Sequence, residues 1–381
     1  MHYFAFEGDF LETRDGLIFD VKGNLHPKDR KIAYLRYIPA RFFDSNFQHA
    51  PKKEKKTIKN YIEQKYEISV SDIRFGQEVY IKLYDIPSRF KILSLFKPKY
   101  IFTSNLYDFP LQSVPNQDIQ TIYAPEEYLL TTLQSPKDNT LRNLIDFLQT
   151  GGNIPLNHIG LSGSSMVGLD ETNSDYDIVI YGEKECLSVH AFLELLFSQT
   201  HNLTSKNSRI HTYKSRALRK HYKTRAKGFP IKFKDFSFIE RKKTHQFVID
   251  GKDVFIRYSK FHRTNAVLPQ FEDFSFKNLG RVSLNGIIVE DAQSIFTPGK
   301  YGIKIIEISK GDEKITGKFI EIFTLRGRFL EQGKNGDLVH VEGKLERKEN
   351  LDTNEISQQI VIGTDPNDLM IQIKKSNAKF N

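Results

Sequence analysis

The sequence predicts a multidomain α+β chain in three parts: an N-terminal α+β region over residues 1–135, a central α/β domain over 136–278 and a C-terminal antiparallel β module over 279–381. Three observations predict it. At 381 residues the chain exceeds what one hydrophobic core usually organises. Its middle alternates helix-period patterns with short strand patterns around glycine turns. Its last hundred residues carry closely spaced runs of two-residue alternation separated by turn signals.

The elements follow in order. Phe10 to Val21 reads as a hairpin around Asp15-Gly16, a dipeptide suited to the positive backbone angles of a tight turn, and Lys31 to Ile38 as a strand. The charge run PKKEKK opens a helix that continues to about Tyr66 and reads as its solvated start. Val79 to Ile86 suggests a strand, and Pro110 to Pro136, with four prolines, a connector. Leu141, Leu144, Ile145 and Leu148 fall at helical spacing between an Asn139 cap and the Gly151-Gly152 stop. A short strand over Leu156 to Leu161 leads through a Gly/Ser turn to a second strand, Asp175 to Tyr181. A helix carrying Val189, Leu193 and Phe197 follows. Ser208 to Thr224 is expected to be helical, and Asp253 to Lys260 a strand. Beyond Asn278, five or six short strands in about a hundred residues suit a small barrel, with an OB-like barrel the leading expectation; Gly343 interrupts one of them as a candidate bulge.

Composition narrows the class. Hydrophobic residues at 39% and charged residues at 27% exclude wholesale disorder or a collagen-like fibre. The single cysteine, Cys186, can form neither an internal disulfide nor a multi-thiolate zinc site, which suits a reducing, cytoplasmic setting. Glu7 and Asp9 stand where a signal peptide needs a basic end and an apolar run, and no stretch approaches about 18 consecutive apolar residues. Secretion and membrane spanning are not expected.

The net charge of +9 is unevenly placed. His201 to Lys234 holds eleven basic residues and no Asp or Glu, whereas Arg281 to Asn381 holds fifteen of each sign. Arg209, Arg216, Lys220 and Lys223 are expected on one helical face with Tyr213 and Tyr222 interleaved. Such a stripe can track a nucleic-acid backbone, contact a triphosphate, or serve as a solvated face. His26-Pro27 reads as a turn.

The sharpest signal is GSSMVGLDETNSDYD, residues 163–177. On a strand, residues two apart project to one side, so Asp175 and Asp177 point together while Tyr176, Ile178 and Ile180 face the opposite layer. Two such carboxylates repel unless a cation lies between them, and Mg2+ or Mn2+ is the usual solution in phosphoryl chemistry. The Gly163-Ser164 turn supplies backbone N–H groups and a hydroxyl for an anion, a following helix would aim its positive end there, and Ser174 completes the motif.

This pattern resembles the nucleotidyltransferase superfamily related to DNA polymerase β, in which a GS turn precedes a paired-acid strand by about ten residues. The resemblance implies a third acid from a later neighbouring strand. Asp253 is the best candidate, opening a strand whose buried set would be Val254, Ile256 and Tyr258, with Asp250 and Glu240 as alternatives. The opening GDFLETRDGLIFDVKGNLHPKDRKIAYLRYIP and the late SIFTPGKYGI and LRGRFLEQGKNGDLVHVEGKLE are similar to uncharacterised archaeal predicted nucleotidyltransferases with an added N-terminal region. The implied reaction is transfer of an NMP from an NTP to a hydroxyl. RNA is the favoured acceptor; a non-catalytic nucleic-acid binder and a protein-modifying enzyme are the alternatives.

Overall fold

The Asp15-Gly16 turn is closed in the structure, a computed structural model that describes residues 4–134, 138–172, 174–200, 209–225, 230–264, 268–311 and 314–373. It joins β1 (Phe10–Thr13) to β2 (Ile18–Val21), antiparallel with Leu11 opposite Phe19. Gly16 has φ +89°, a left-handed angle that favours glycine. Contacts divide the chain into two units, one gathering residues 1–135, 160–174 and 263–271, the other 136–159, 175–262 and 272–381.

In the first unit the ten-residue β3 (Arg30–Pro39) is the spine. β2 lies along one side. The far end of β3 pairs with β5 (Val79–Lys82) and its near end with β7 (Tyr107–Pro115). β4 (Asp72–Phe75) adds to β5, β6 (Ile101–Ser104) to β7, and β8 (Ile119–Tyr123) to β1, every pairing antiparallel. Helices α1 (Lys55–Tyr66) and α2 (Ile86–Phe96) turn Ile58, Ile62, Ile92 and Leu93 into one core with Leu11, Phe19, Val21, Leu35 and Ile38. The lysines of PKKEKK stay on the solvated side, Lys52 to Glu54 forming a 3-10 turn. The strand expected over Val79 to Ile86 stops at Lys82, since Ile86 already begins α2 behind the Asp85 cap.

The segment read as a connector is structured. Pro110 and Pro115 lie in β7, and Pro125 opens α3 (Pro125–Leu133) at the first helical position, where the missing N–H costs nothing. His26 is half-buried in this unit. Its Nδ1 accepts from Ile32 N–H at 3.1 Å and its Nε2 bonds the Ala5 carbonyl at 3.0 Å, and burial holds its pKa down to about 3. The last strand of this stretch, β9 (Ile159–Ser162), is shorter than expected because Leu156 to His158 form a 3-10 turn.

The second unit begins with α4 (Asn139–Gly152). Its cap is Asp138, whose carboxylate accepts from Leu141 N–H at 3.0 Å, so Asn139 is the first helical residue and not the cap. β10 (Tyr176–Tyr181), α5 (Glu183–Thr200), β11 (Ile210–His211), α6 (Ser215–Arg225), α7 (Phe233–Glu240), β12 (Gln246–Ile249) and β13 (Lys252–Ser259) follow. The sheet runs in the order β11-β12-β13-β10-β9, with β13 and β10 parallel. One face carries Tyr176, Ile178, Ile180, Val254, Ile256 and Tyr258, all buried; Phe197 of α5 packs on Phe247, and the Tyr176 hydroxyl donates to Asp138 at 2.6 Å. Gly152 lets α4 approach α5, since a Cβ there would meet Val189 at 2.6 Å.

The remaining strands are β14 (Phe274–Glu290), β15 (Gly299–Lys310), β16 (Phe319–Thr324), β17 (Leu338–Asn350), β18 (Glu355–Val361) and β19 (Leu369–Gln372). Their pairings close a ring, β14-β15-β16-β18-β17-β14, antiparallel except for β16 with β18, and β19 adds to β17. Val282, Leu284, Ile303, Ile322, Val339, Val341 and Ile360 fill it. β14 begins at Phe274, ahead of the expected boundary at 278/279. Gly343 is not a bulge. The register shift lies at Asn278/Gly280, and Gly343 is needed because a Cβ would meet Ile360 and the Val361 carbonyl at 2.7 Å.

Glu331 ties this ring to the mixed sheet. Its buried carboxylate accepts from Thr244 N–H (3.0 Å) and hydroxyl (2.8 Å), from His245 N–H (3.1 Å), from His190 Nε2 (2.9 Å) and from His245 Nδ1. Burial alone would raise this carboxyl, but the two imidazoles hold it well below its usual value. Among the described residues no helix is long and apolar enough to cross a membrane.

Candidate functional site

The acids are set by strand register. In the parallel pair β10 and β13, Tyr176 matches Val254 and Asp177 matches Phe255. Paired residues share a face, so Asp177 lies on the side of Phe255 and, one alternation back, of Asp253. Continuing the same register, Asp175 stands opposite Asp253, just before β10 begins. The three positions therefore occupy one sheet face at the entry to two adjacent strands. Asp177 and Asp253 are half-buried and Asp175 is exposed. Arg257 shares this face further along β13. Among the described residues, no three His, Cys, Asp or Glu side chains are gathered closely enough to cage a metal ion.

The alternatives for the third acid are committed elsewhere. Asp250, at φ +47°, pairs with Arg209 Nε at 3.1 Å. Glu240, buried on α7, pairs with Lys243 at 2.7 Å and accepts from Gln246 at 2.6 Å.

The glycine turn follows β9, the strand next to β10 in the five-stranded sheet, and residues 160–174 group with the first unit. After β9, Gly163 takes φ +89° and Ser164 enters a single 3-10 turn, Ser165–Val167. The helix expected here is only that turn, so its anion-directed groups are backbone N–H groups and a hydroxyl, with no helix dipole behind them. The Ser164 carbonyl accepts from Val167 N–H (3.3 Å) and Leu169 N–H (2.9 Å), and among the described residues its hydroxyl has no hydrogen-bond partner. Gly168 has φ +67° and open space around it, so backbone angle and not crowding requires glycine there. Ser174 acts locally. Its hydroxyl accepts from Glu171 N–H at 2.8 Å, and its N–H donates to the Glu171 carbonyl at 2.8 Å, closing the turn that leads to Asp175.

The basic segment is split. Ile210 lies in β11, so Arg209 is not on the helix with the others. Arg216, Lys220 and Lys223 share the exposed face of α6, joined by Arg219, which stacks on Phe233 at 4.9 Å. The tyrosines do not interleave with them at the surface. Tyr213 is 4% exposed, and Tyr222 donates to the Ile231 carbonyl at 2.8 Å while its ring meets Phe233 and Phe236. Lys206 and Lys227 lie outside the described residues. Tyr213 and Leu218 cluster with Val248, and Val248 is the register partner of Asp253. The basic helix therefore sits on the acid-bearing face.

The sequence reading missed the Glu331 cluster, whose members His190, Thr244 and His245 come from separated segments with no common spacing. It also missed the stacked pair His158 and His262, 4.3 Å between centroids, each bonded to a backbone carbonyl.

A protein of Methanocaldococcus jannaschii described as uncharacterized is 25% identical to the chain over 363 residues, covering 93% of this chain and 94% of that protein. No protein-family model matches the chain, and no solved structure does.

Proposed function

We propose that this chain is a divalent-metal-dependent nucleotidyltransferase that moves an NMP from an NTP to a hydroxyl acceptor, RNA being the favoured one. The observation that carries the reading is the single sheet face on which the positions of Asp175, Asp177 and Asp253 adjoin and against which the basic helix α6 packs. Acids and bases on one face suit a reaction that handles a metal and a polyanion together.

The donor set fits Mg2+ or Mn2+, since carboxylate oxygen is the hard ligand such ions prefer. Asp175, Asp177 and Asp253 would hold the metal, which when bound neutralises phosphate charge and lowers the pKa of an attacking hydroxyl. Asp253, half-buried and on the same sheet face as Asp175 and Asp177, would accept the proton of that hydroxyl. Gly163 and Ser164 would bind triphosphate oxygens through N–H and O–H donation, while Ser174 acts by closing its turn.

Arg216, Lys220 and Lys223 would contact phosphates of the acceptor, with Arg209 restrained by Asp250. With Tyr213 and Tyr222 packed inward, neither offers a stacking platform beside them, so their contribution is expected to be independent of base sequence. The closed five-strand ring is read as an OB-like barrel, and its even charge makes it secondary in polyanion attraction. The reading includes a cytoplasmic location, supported by the single buried thiol.

The test is incubation with each labelled NTP and Mg2+ or Mn2+, offering cellular RNA and protein as acceptors. Label on RNA is the expected result. Label on protein would make the enzyme protein-modifying, and RNA binding without label would make the fold a non-catalytic binder.

A further inference from the structure

The N-terminal region has no part in the chemistry above, yet its residues surround the loop that carries the glycine turn. Ser162, the last residue before Gly163, donates its hydroxyl to the Gly8 carbonyl at 2.7 Å. Met166 and Leu169, 4% and 3% exposed, are buried with Phe10, Ile18 and Tyr37. Gly76, between β4 and β5, comes so near that a Cβ there would meet the Gly168 carbonyl at 3.4 Å.

Past the turn, Glu171 meets Arg74 Nη1 at 3.4 Å and Lys55 Nζ at 3.8 Å. Both cations are themselves held by Asp72, Arg74 Nε at 3.0 Å and Lys55 Nζ at 2.7 Å. Burial would raise the Asp72 carboxyl, but these two partners keep it below its usual value. A chain of charges thus runs from α1 through β4 to the loop. Arg74 is the link, because its planar fork reaches two carboxylates at once where a lysine reaches as a point charge. The loop is gripped before the turn by a hydrogen bond, across it by apolar burial and after it by ion pairs, all from the N-terminal region.

We propose that the β4 and β5 hairpin, with α1, is a clamp that sets the position of the Gly163-Ser164 turn, and that Arg74 is a positioning residue acting through Glu171. The assignment rests on the transferase reading for what the turn binds, and on geometry alone for the grip. A turn that binds through N–H groups depends on their aim, and a displacement of about 1 Å costs a catalytic site on the order of a hundredfold.

The experiment compares wild type with Arg74→Ala, Glu171→Ala and the double variant, reading amide hydrogen exchange over residues 163–172 and the KM and kcat for NTP. Glu171 is partly exposed, so its variant keeps the test sound if Arg74→Ala disturbs the N-terminal core. Each single variant should speed loop exchange about tenfold and raise KM about tenfold with a smaller change in kcat, leaving exchange in β1 to β3 unchanged. The double variant should lose no more than either single one, because the two residues act as a unit. Unchanged loop exchange, an unchanged KM, or losses that add in the double variant would overturn the clamp. Exchange needs no nucleotide. A wild type that transfers nothing while the variants lose protection removes the transferase reading and supports the grip, whereas normal transfer with unchanged exchange removes the clamp alone.

Discussion

Replacing Glu331 by Gln keeps the shape of the side chain and removes its charge. The carboxylate serves two backbone N–H groups, the Thr244 hydroxyl and two imidazoles, and Thr244 and His245 are 5% and 1% exposed. Glutamine offers one acceptor oxygen, and its NH2 would face groups that are themselves donors. Leaving two buried donors unmet at about 1–3 kcal/mol each gives a loss of roughly 3–5 kcal/mol, the range found when one partner of a buried ion pair is removed. At about 2–4 °C per kcal/mol, the unfolding midpoint should fall by about 10 °C. The sign with pH follows from the lowered carboxyl. Its contribution is fully present above the ordinary glutamate value of 4.5 and is lost as pH falls through the folded value, so the gap between wild type and variant should close in acid. Thermal unfolding from pH 3 to pH 8 measures both effects. A variant within about 1 kcal/mol of wild type at pH 7, or a gap that widens in acid, would refute the idea that this carboxylate fastens the ring to the sheet.

Asp9 should act with the opposite sign. Burial, opposed by Arg263, pushes its carboxyl up to about 7, so its contribution is complete below the unfolded value of 3.8 and declines as pH rises through 7. Asp9→Asn should flatten the unfolding midpoint between pH 4 and pH 8 relative to wild type, and parallel curves would contradict this. For the basic helix, changing Arg216, Lys220 and Lys223 together to Ala should reduce the salt dependence of RNA affinity by about two, at about 0.7 per phosphate contact on a single strand. The loss should be alike for RNAs of different sequence, since no tyrosine stacks there, and an unchanged slope would return these residues to a solvated face.

What the sequence disclosed was local. Turn chemistry marked the hairpin at Asp15-Gly16, and two-residue alternation marked the buried set of β10 and β13 and the ring strands, because period and glycine angle are written in neighbouring residues. Prolines misled where their position mattered more than their number. Pro125 opens a helix and Pro110 and Pro115 lie in a strand, so a segment read as connector is ordered. The basic run was misread in part because Ile210 fits a helical face and a strand equally, and only pairing with β12 decides it. Tyr213 and Tyr222 looked available because a helical wheel does not show that Phe233, Phe236 and Val248 cover one side. The grip on the glycine turn and the Glu331 cluster were illegible for a plainer reason: Arg74 and Glu171, or His190 and Glu331, stand far apart in the sequence, the latter pair 141 residues, and meet only through the fold.

Nucleotidyl transfer by the acid face is probed most directly by label transfer in wild type beside Asp175→Asn, Asp177→Asn and Asp253→Asn, with folding checked by thermal unfolding. Each substitution removes a charge needed for metal while keeping nearly the same shape, and relief of repulsion between nearby carboxylates should leave the unfolding midpoint equal or higher. Wild type should transfer label, and each variant should lose at least about a hundredfold at unchanged fold. Full transfer by Asp175→Asn or Asp177→Asn would contradict a metal-holding acid face, and so would a wild type that labels no acceptor with any NTP in Mg2+ or Mn2+.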